Sequence, residues 1–168
     1  MEEFVTRDII KPIAEFILTC PFLGKYHIDA SEISTQMLTD DGADKAKGGV
    51  AIESIGSTQI TTLKNILGDE TTNRQLNYQV WLRRQSNHEP LRNETANFLF
   101  NFEQWVEQSQ FRGLCPKISQ DKEDQKRETM WADGGMYFGQ WEDGSEVSLY
   151  LVQLHISYYN SYKEDEED

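Results

Sequence analysis

Apolar residues alternate with polar ones near the end of the chain, which is the pattern of a β-strand with one buried face. Within residues 146–159, every second position is apolar or aromatic at Tyr150, Val152, Leu154, Ile156 and Tyr158. Leu149 and Leu151 add apolar groups to the opposite face, but only in the first half. The pattern predicts a strand that is central in its sheet where it starts and half exposed to water where it ends.

Three further strands are predicted. Residues 73–84 repeat with period two, so that one face carries Leu76, Tyr78, Val80 and Leu82 and the other carries Asn77, Gln79, Trp81 and Arg83. Residues 50–55 form a short alternating run, which the β-branched residues after Gly56 can extend. Residues 136–141 follow a turn predicted at Gly134 and Gly135, and the Asp143-Gly144 pair predicts a tight hairpin into the last strand.

Two helices are predicted from apolar residues spaced three and four apart. The first follows the stripe Val5, Ile9, Ile13, Phe16, Ile17 and Cys20. Thr6 or Asp8 can cap its start, and Pro12 either lies in the first turn or kinks the helix. The second follows Leu91, Thr95, Phe98, Leu99, Phe102, Trp105 and Val106. Ser86 or Asn87 can cap the second helix, and Gly113 and Pro116 end it.

The 168 residues fit one domain of the α+β class, with a single mixed or antiparallel sheet flanked by two main helices. Residues 1–162 form this domain, and residues 163–168 form an acidic tail. Residues 39–49 are a long polar loop, and loops of this length are often functional. Residues 119–128 belong to a segment with balanced charges, which is a solvated linker or a short charged helix.

Charge and composition narrow the range of possible functions. A formal charge of −13 argues against the basic surface that proteins use to neutralise nucleic-acid phosphates. It is compatible with solubility alone, or with a wall along which DNA slides without sticking. Cys20 and Cys115 lie far apart and are interpreted as buried free thiols in a reducing compartment. The sequence has neither a run of about 20 apolar residues nor a signal-peptide pattern, which predicts synthesis in the cytosol and no membrane partner.

Motifs for chemistry are missing from the sequence. His27, His88 and His155 are scattered and have no metal-ligand spacing. The chain contains no GxSxG, GxxxxGK or GxGxxG motif. We therefore predict no catalytic residues, no metal and no cofactor. His155 is predicted to be a hydrogen-bonded histidine at the surface.

Three stretches together resemble the tail-terminator proteins of long-tailed bacteriophages, which are also described as tail-completion or minor capsid proteins. They are ILGDETTNRQLNYQVWLRR from Ile66, FLFNFEQWVEQSQFRGLCPKI from Phe98 and GMYFGQWEDGSEVSLYLVQLHISYY from Gly135. Their order, their spacing and the total length carry the resemblance across residues 5–159. The acidic tail and the longer loop at residues 39–49 depart from the family pattern.

The resemblance implies a hexameric ring made of copies of this chain. Such a ring caps the head-proximal end of the tail-tube protein, stops its polymerisation and forms the joint to the head-tail connector. DNA would cross the lumen without specific binding, and the protein would be located in the virion after synthesis in the host cytoplasm. Another head-tail joining, minor capsid or tail-tube subunit is the alternative. An unrelated soluble binding or enzymatic domain is the third reading.

The candidate site residues are subunit contacts. Trp81 beside Arg83 has the composition of an interface hot spot, although a helix or nothing at all could equally cover Trp81. Gln153 and His155 lie on the polar half of the last strand. The long loop adds Asp40, Asp41, Asp44, Lys45 and Lys47. We expect this loop and residues 119–128 to be arms that order on contact with a neighbour.

Overall fold

The computed structural model describes residues 7–25, 49–85, 89–140 and 147–163. Its elements, in chain order, are α1 (Lys11–Leu18), α2 (Phe22–Lys25), β1 (Gly49–Lys64), β2 (Glu70–Gln85), α3 (Glu89–Phe111), α4 (Lys122–Arg127), β3 (Thr129–Gln140) and β4 (Val147–Tyr162). The predicted α+β class is confirmed. The described strands form one four-stranded sheet, and all their pairings are antiparallel.

The strand order is β1-β2-β4-β3, so β4 lies between β2 and β3 from Ser148 to Ser157, whereas its last residues, 158–162, pair with β2 alone. The pairing of β2 with β4 runs from Glu70 opposite Tyr162 to Gln85 opposite Val147 without a register shift. The two edge strands are irregular. β1 continues to Lys64, as the β-branched run predicted, and has a register shift around Gly56, whose φ is 103°.

The turn predicted at Gly134 and Gly135 is wrong. Both residues lie inside β3, where the pairing with β4 shifts between Asp133 and Met136. Gly134 has a φ of 66°, which lets the strand bulge and then resume its pairing. The sequence signal was correct in locating a backbone irregularity, but a bulge and a turn share the same glycine requirement.

The core lies on one face of the sheet. The alternating side chains of β2 and β4 join apolar residues of α1 and α3 in a single buried cluster, which includes Ile13, Ile17, Leu76, Tyr78, Phe98, Phe102, Val152 and Leu154. The rings of Phe16 and Trp105 stack with centroids 4.6 Å apart, which joins α1 to α3. The Tyr78 hydroxyl donates to the Ile9 carbonyl over 2.8 Å. The predicted core faces of both strands are therefore confirmed.

The helix ends agree with the sequence in part: α1 is shorter than its predicted stripe, because Ile9 and Cys20 lie outside it. The Asp8 carboxylate accepts hydrogen bonds from the amides of Ile10 and Lys11, and these bonds lower the pKa of Asp8. Pro12 lies in the first turn of α1, where a missing N–H costs little. α3 ends at Phe111, Gly113 follows it with a φ of 70°, and the Leu114 amide donates back to the Ser109 carbonyl.

The charged segment before β3 contains a short helix, which was one of the two predicted alternatives, and one side of the segment is packed. Its residues 122–127 form α4, and the Asp121 carboxylate accepts from the amides of Glu123 and Asp124. Ile118, Ser119 and Glu128 are buried. The Arg127 guanidinium lies 4.2 Å from the centroid of the Tyr159 ring on β4. This segment therefore packs on its own sheet, which differs from the arm predicted for residues 119–128.

The two cysteines should be nearly unreactive in the folded protein. Both thiols are buried, and desolvation raises the pKa of Cys20 and of Cys115 from 9.0 to about 11. The reactive thiolate is therefore scarce at pH 8. We expect a chromogenic disulfide reagent to modify both thiols rapidly in urea and at least tenfold more slowly in buffer. Fast modification without denaturant would contradict this burial.

Candidate assembly surfaces

Trp81 lies on the face of the sheet opposite the main core, in a small cluster with Ala51 and Leu151. The Phe138 ring of β3 meets its indole edge to face, with centroids 4.9 Å apart. The indole N–H of Trp81 lies 3.4 Å from a carboxylate oxygen of Glu53. Trp81 is thus only 7% exposed, because an edge strand of its own chain covers it.

Two adjacent arginines of β2 are also buried. Arg83 is 5% exposed. The guanidinium of Arg84 lies 3.2 Å from the Glu94 carboxylate and donates to the Thr95 hydroxyl over 3.2 Å, which ties β2 to α3. Trp81 and Arg83 are therefore packed within the subunit, and a contact with a neighbour through them stays a prediction.

His155 belongs to a buried polar cluster and not to the surface, so that part of its prediction is wrong. Its ring nitrogens lie 2.7 Å from the Asn77 side-chain oxygen and 3.1 Å from an Asp133 carboxylate oxygen. The Trp131 ring stacks on it with centroids 5.2 Å apart. Side chains of β2 and β3 thus bury His155 and Ser157, whereas residues 158–160 are half-buried and residues 161 and 162 are exposed, as predicted for the end of this strand.

The cluster holds three strands together. Asn77 comes from β2, His155 from β4 and Asp133 from β3, and Gln75 donates to the same Asn77 oxygen over 2.8 Å. Gln153 pairs across the sheet with Gln79 and Asp133 and is half-buried. Both ring nitrogens of His155 are engaged, so the group acts as a structural connection rather than as an open acid or base.

The connection between β1 and β2 presents two apolar side chains to water. We call residues 64–70 the hairpin tip. Ile66 is fully exposed and Leu67 is 73% exposed, although both are large and apolar. The tip is held in shape by Asn65, whose side-chain oxygen accepts from the amides of Leu67 and Asp69 over 2.9 and 3.0 Å. Gly68 has a φ of 91°, which a glycine adopts without strain.

The outer edge of β1 is a second exposed feature. No other described strand pairs with this edge. Ile55, Ile60 and Leu63 are exposed along it. A long edge with unpaired backbone groups and apolar side chains is a surface on which another chain can pair, and monomeric proteins usually protect such edges.

A groove lies between α3 and the end of β3. Its volume is about 540 Å³, and its apolar walls are Ala96, Leu99, Phe100, Met136 and Tyr137. Gly135 allows the helix to approach the strand closely, since a Cβ there would lie 2.9 Å from a Glu103 carboxylate oxygen. The Gly135 amide donates to this same oxygen over 2.8 Å. Phe100, Met136 and Tyr137 are each more than half exposed.

The sequence did not single out the hairpin tip or the groove. The available signal for the tip was an Ile-Leu pair within a polar turn between two strands. The predicted loop contacts Asp40, Asp41, Asp44, Lys45 and Lys47 lie outside the described residues.

The acidic excess also lies outside the described residues. Residues 7–25, 49–85, 89–140 and 147–163 together contain equal numbers of acidic and basic side chains. The formal charge of −13 therefore arises from residues 1–6, 26–48, 141–146 and 164–168.

No protein-family model matches the chain, and no curated protein matches it. Among the helices that the structure describes, none is long and apolar enough to cross a membrane. The described part of the chain holds no group of three or more side chains that could bind a metal ion.

Proposed function

We propose that this protein is a structural virion subunit, a phage tail terminator that forms a ring on the head-proximal end of the tail tube. In this role it stops tube polymerisation and joins the tail to the head connector. The observation that carries the proposal is the exposed apolar hairpin tip beside an unpaired strand edge. Such surfaces are unfavourable on a free monomer and are typical of subunits that assemble.

The resemblance to tail terminators is what suggests where in the virion this protein would assemble. Its three stretches correspond to the hairpin tip with β2, to α3 with its exit, and to β3 with β4. These elements also form both walls of the groove and the side chains of the tip. The stretches that carry the resemblance are therefore the ones that carry the exposed apolar surface.

The lumen of the proposed ring would let DNA pass without binding it. The charge of −13 supports this role, because a polyanion is repelled by acidic walls. This negative charge comes from segments outside the described residues, among them 26–48 and 164–168, since the described residues are balanced in charge.

A tail-tube subunit is the alternative, since an antiparallel sheet with open edges also suits repeated stacking of rings. The two functions differ when the protein meets growing tubes. A terminator shortens them by capping, whereas a tube protein is incorporated and lengthens them.

The ring itself can be tested by light scattering after size-exclusion chromatography. We expect a species of about six times the chain mass of 19.5 kDa, whose proportion rises with protein concentration. A stable dimer with no larger species would contradict a hexameric ring. Electron microscopy of the same fraction should show particles with a central hole.

A further inference from the structure

We propose that the hairpin tip of one copy seats in the groove between α3 and β3 of the next copy. The contact explains how copies of this chain join head to tail. Closure of such contacts into a ring rests on the proposed function, whereas the contact itself is argued from the surfaces described above.

The tip has the properties of a preformed knob. Ile66 and Leu67 project from a turn that the Asn65 side chain and the left-handed Gly68 hold in place. Little conformational entropy remains to be lost on binding, so the burial of these two side chains is not offset by ordering of the loop. Neither side chain is buried by its own subunit.

The groove has matching size and character. At about 540 Å³ it lies in the range of pockets that take compact apolar groups. The two branched side chains of the tip are of that kind. Phe100, Met136 and Tyr137 form its exposed rim, and a methionine adapts its shape to the group it contacts.

A subunit cannot fill its own groove. The tip lies beside Tyr162 at one end of the sheet, and the groove is lined by Ser148 and Tyr150 near the other end. Fourteen residues separate Ser148 from Tyr162 along β4, which corresponds to about 45 Å in an extended strand. The tip therefore reaches only the groove of another molecule.

This geometry determines the symmetry of the assembly. Tip and groove are different patches of one chain, so each contact leaves one free tip and one free groove. Contacts of this kind close into rings or continue as filaments, but they do not end at a two-fold dimer. A head-to-tail contact is thus the kind that a ring needs.

Charged side chains lie next to each patch. Arg92 and Glu103 line the groove. Lys64 and Glu70 flank the apolar pair of the tip. Lys64 and Glu70 are opposite each other across the hairpin, whereas Arg92 and Glu103 are about 16 Å apart along α3, so the tip can place a charge against one of these two groups but not against both.

The first test removes the knob without touching the core. The double variant Ile66→Ser and Leu67→Ser should weaken assembly at least tenfold by light scattering, while its thermal midpoint stays unchanged. Phe111→Ser is the matched control, because Phe111 is an exposed apolar residue about 12 Å beyond Glu103 along α3. This control should assemble as the unmodified chain does.

The second test traps the contact between two chains. Leu67→Cys and Ala96→Cys are prepared separately, and we expect a disulfide-linked pair only when the two are mixed under mild oxidation. Glu15→Cys on α1 replaces Ala96→Cys as the control and should not cross-link with Leu67→Cys. Cys20 and Cys115 are buried in all variants and do not contribute.

The possible outcomes separate this contact from the proposed function. Assembly that persists in the tip variant, no cross-link in the mixture, or a monomer at every concentration would overturn the contact. If the tip variant loses assembly but the unmodified protein leaves tail tubes unaffected, the contact stands and the terminator function fails. If tubes are capped and the tip variant still assembles, the terminator function stands and the contact fails.

Discussion

Replacing Trp81 with Ala is expected to lower the free energy of unfolding by about 3 kcal/mol, the magnitude typical of a large aromatic residue removed from a packed site. The indole loses its contacts with Ala51, Leu151 and the Phe138 ring, and a cavity remains between β1 and β3. Urea denaturation followed by circular dichroism measures the change, at a protein concentration low enough to keep the chain dissociated.

Phe138→Ala is the matched control for Trp81→Ala. It removes the aromatic cover but leaves the indole in place, and Phe138 is itself more than half exposed. We therefore expect a loss of stability of about 1 kcal/mol or less. If Trp81 were instead the subunit contact predicted from the sequence, Trp81→Ala would affect oligomerisation more than folding. An unchanged stability together with a lost oligomer would support that prediction and contradict the packing account.

Replacing Glu128 with Ala is also expected to lower the free energy of unfolding by about 3 kcal/mol, because two buried backbone donors lose their acceptor. One carboxylate oxygen of Glu128 accepts from the amides of Ile118 and Ser119 over 2.7 and 2.8 Å. These bonds hold the segment before β3 against the sheet. Denaturant unfolding measures the loss, and protease cleavage between residues 117 and 128 should become faster.

Glu128→Gln separates the hydrogen bonds from the charge. An amide oxygen still accepts from both backbone donors, and the second carboxylate oxygen has no partner among the described residues. We expect Glu128→Gln to be much less destabilised than Glu128→Ala. Glu123→Ala, on the exposed side of α4, should change stability by less than about 0.5 kcal/mol. Equal losses for Glu128→Gln and Glu128→Ala would show that the charge matters and the acceptor does not.

The elements with a clear period were predictable from the sequence. The faces of β2 and β4, the stripe of α3 and the glycine that ends it are local patterns, and each follows from the spacing of apolar residues or from one backbone requirement. β3 was harder to predict, because the pair Gly134-Gly135 is compatible with a bulge inside a strand as well as with a turn between strands. Only the pairing with β4 distinguishes the two.

Burial on the second face of the sheet was not predictable. Trp81 and His155 both appear on polar strand faces, but Phe138 and Trp131 of β3 lie against them. These neighbours are 57 and 24 residues away along the chain, and only the strand order brings them together. Glu128 was missed for a different reason: its charge indicated solvent, although its partners, the amides of Ile118 and Ser119, lie only 10 and 9 residues away.

The central claim is that this protein ends the growth of tail tubes, and tube length measured by electron microscopy tests it most directly. Purified tail-tube subunit is polymerised with increasing amounts of this protein. A terminator predicts progressively shorter tubes, each with this protein at one end only. Tubes of unchanged length, or tubes that incorporate the protein along their whole length, would contradict the claim.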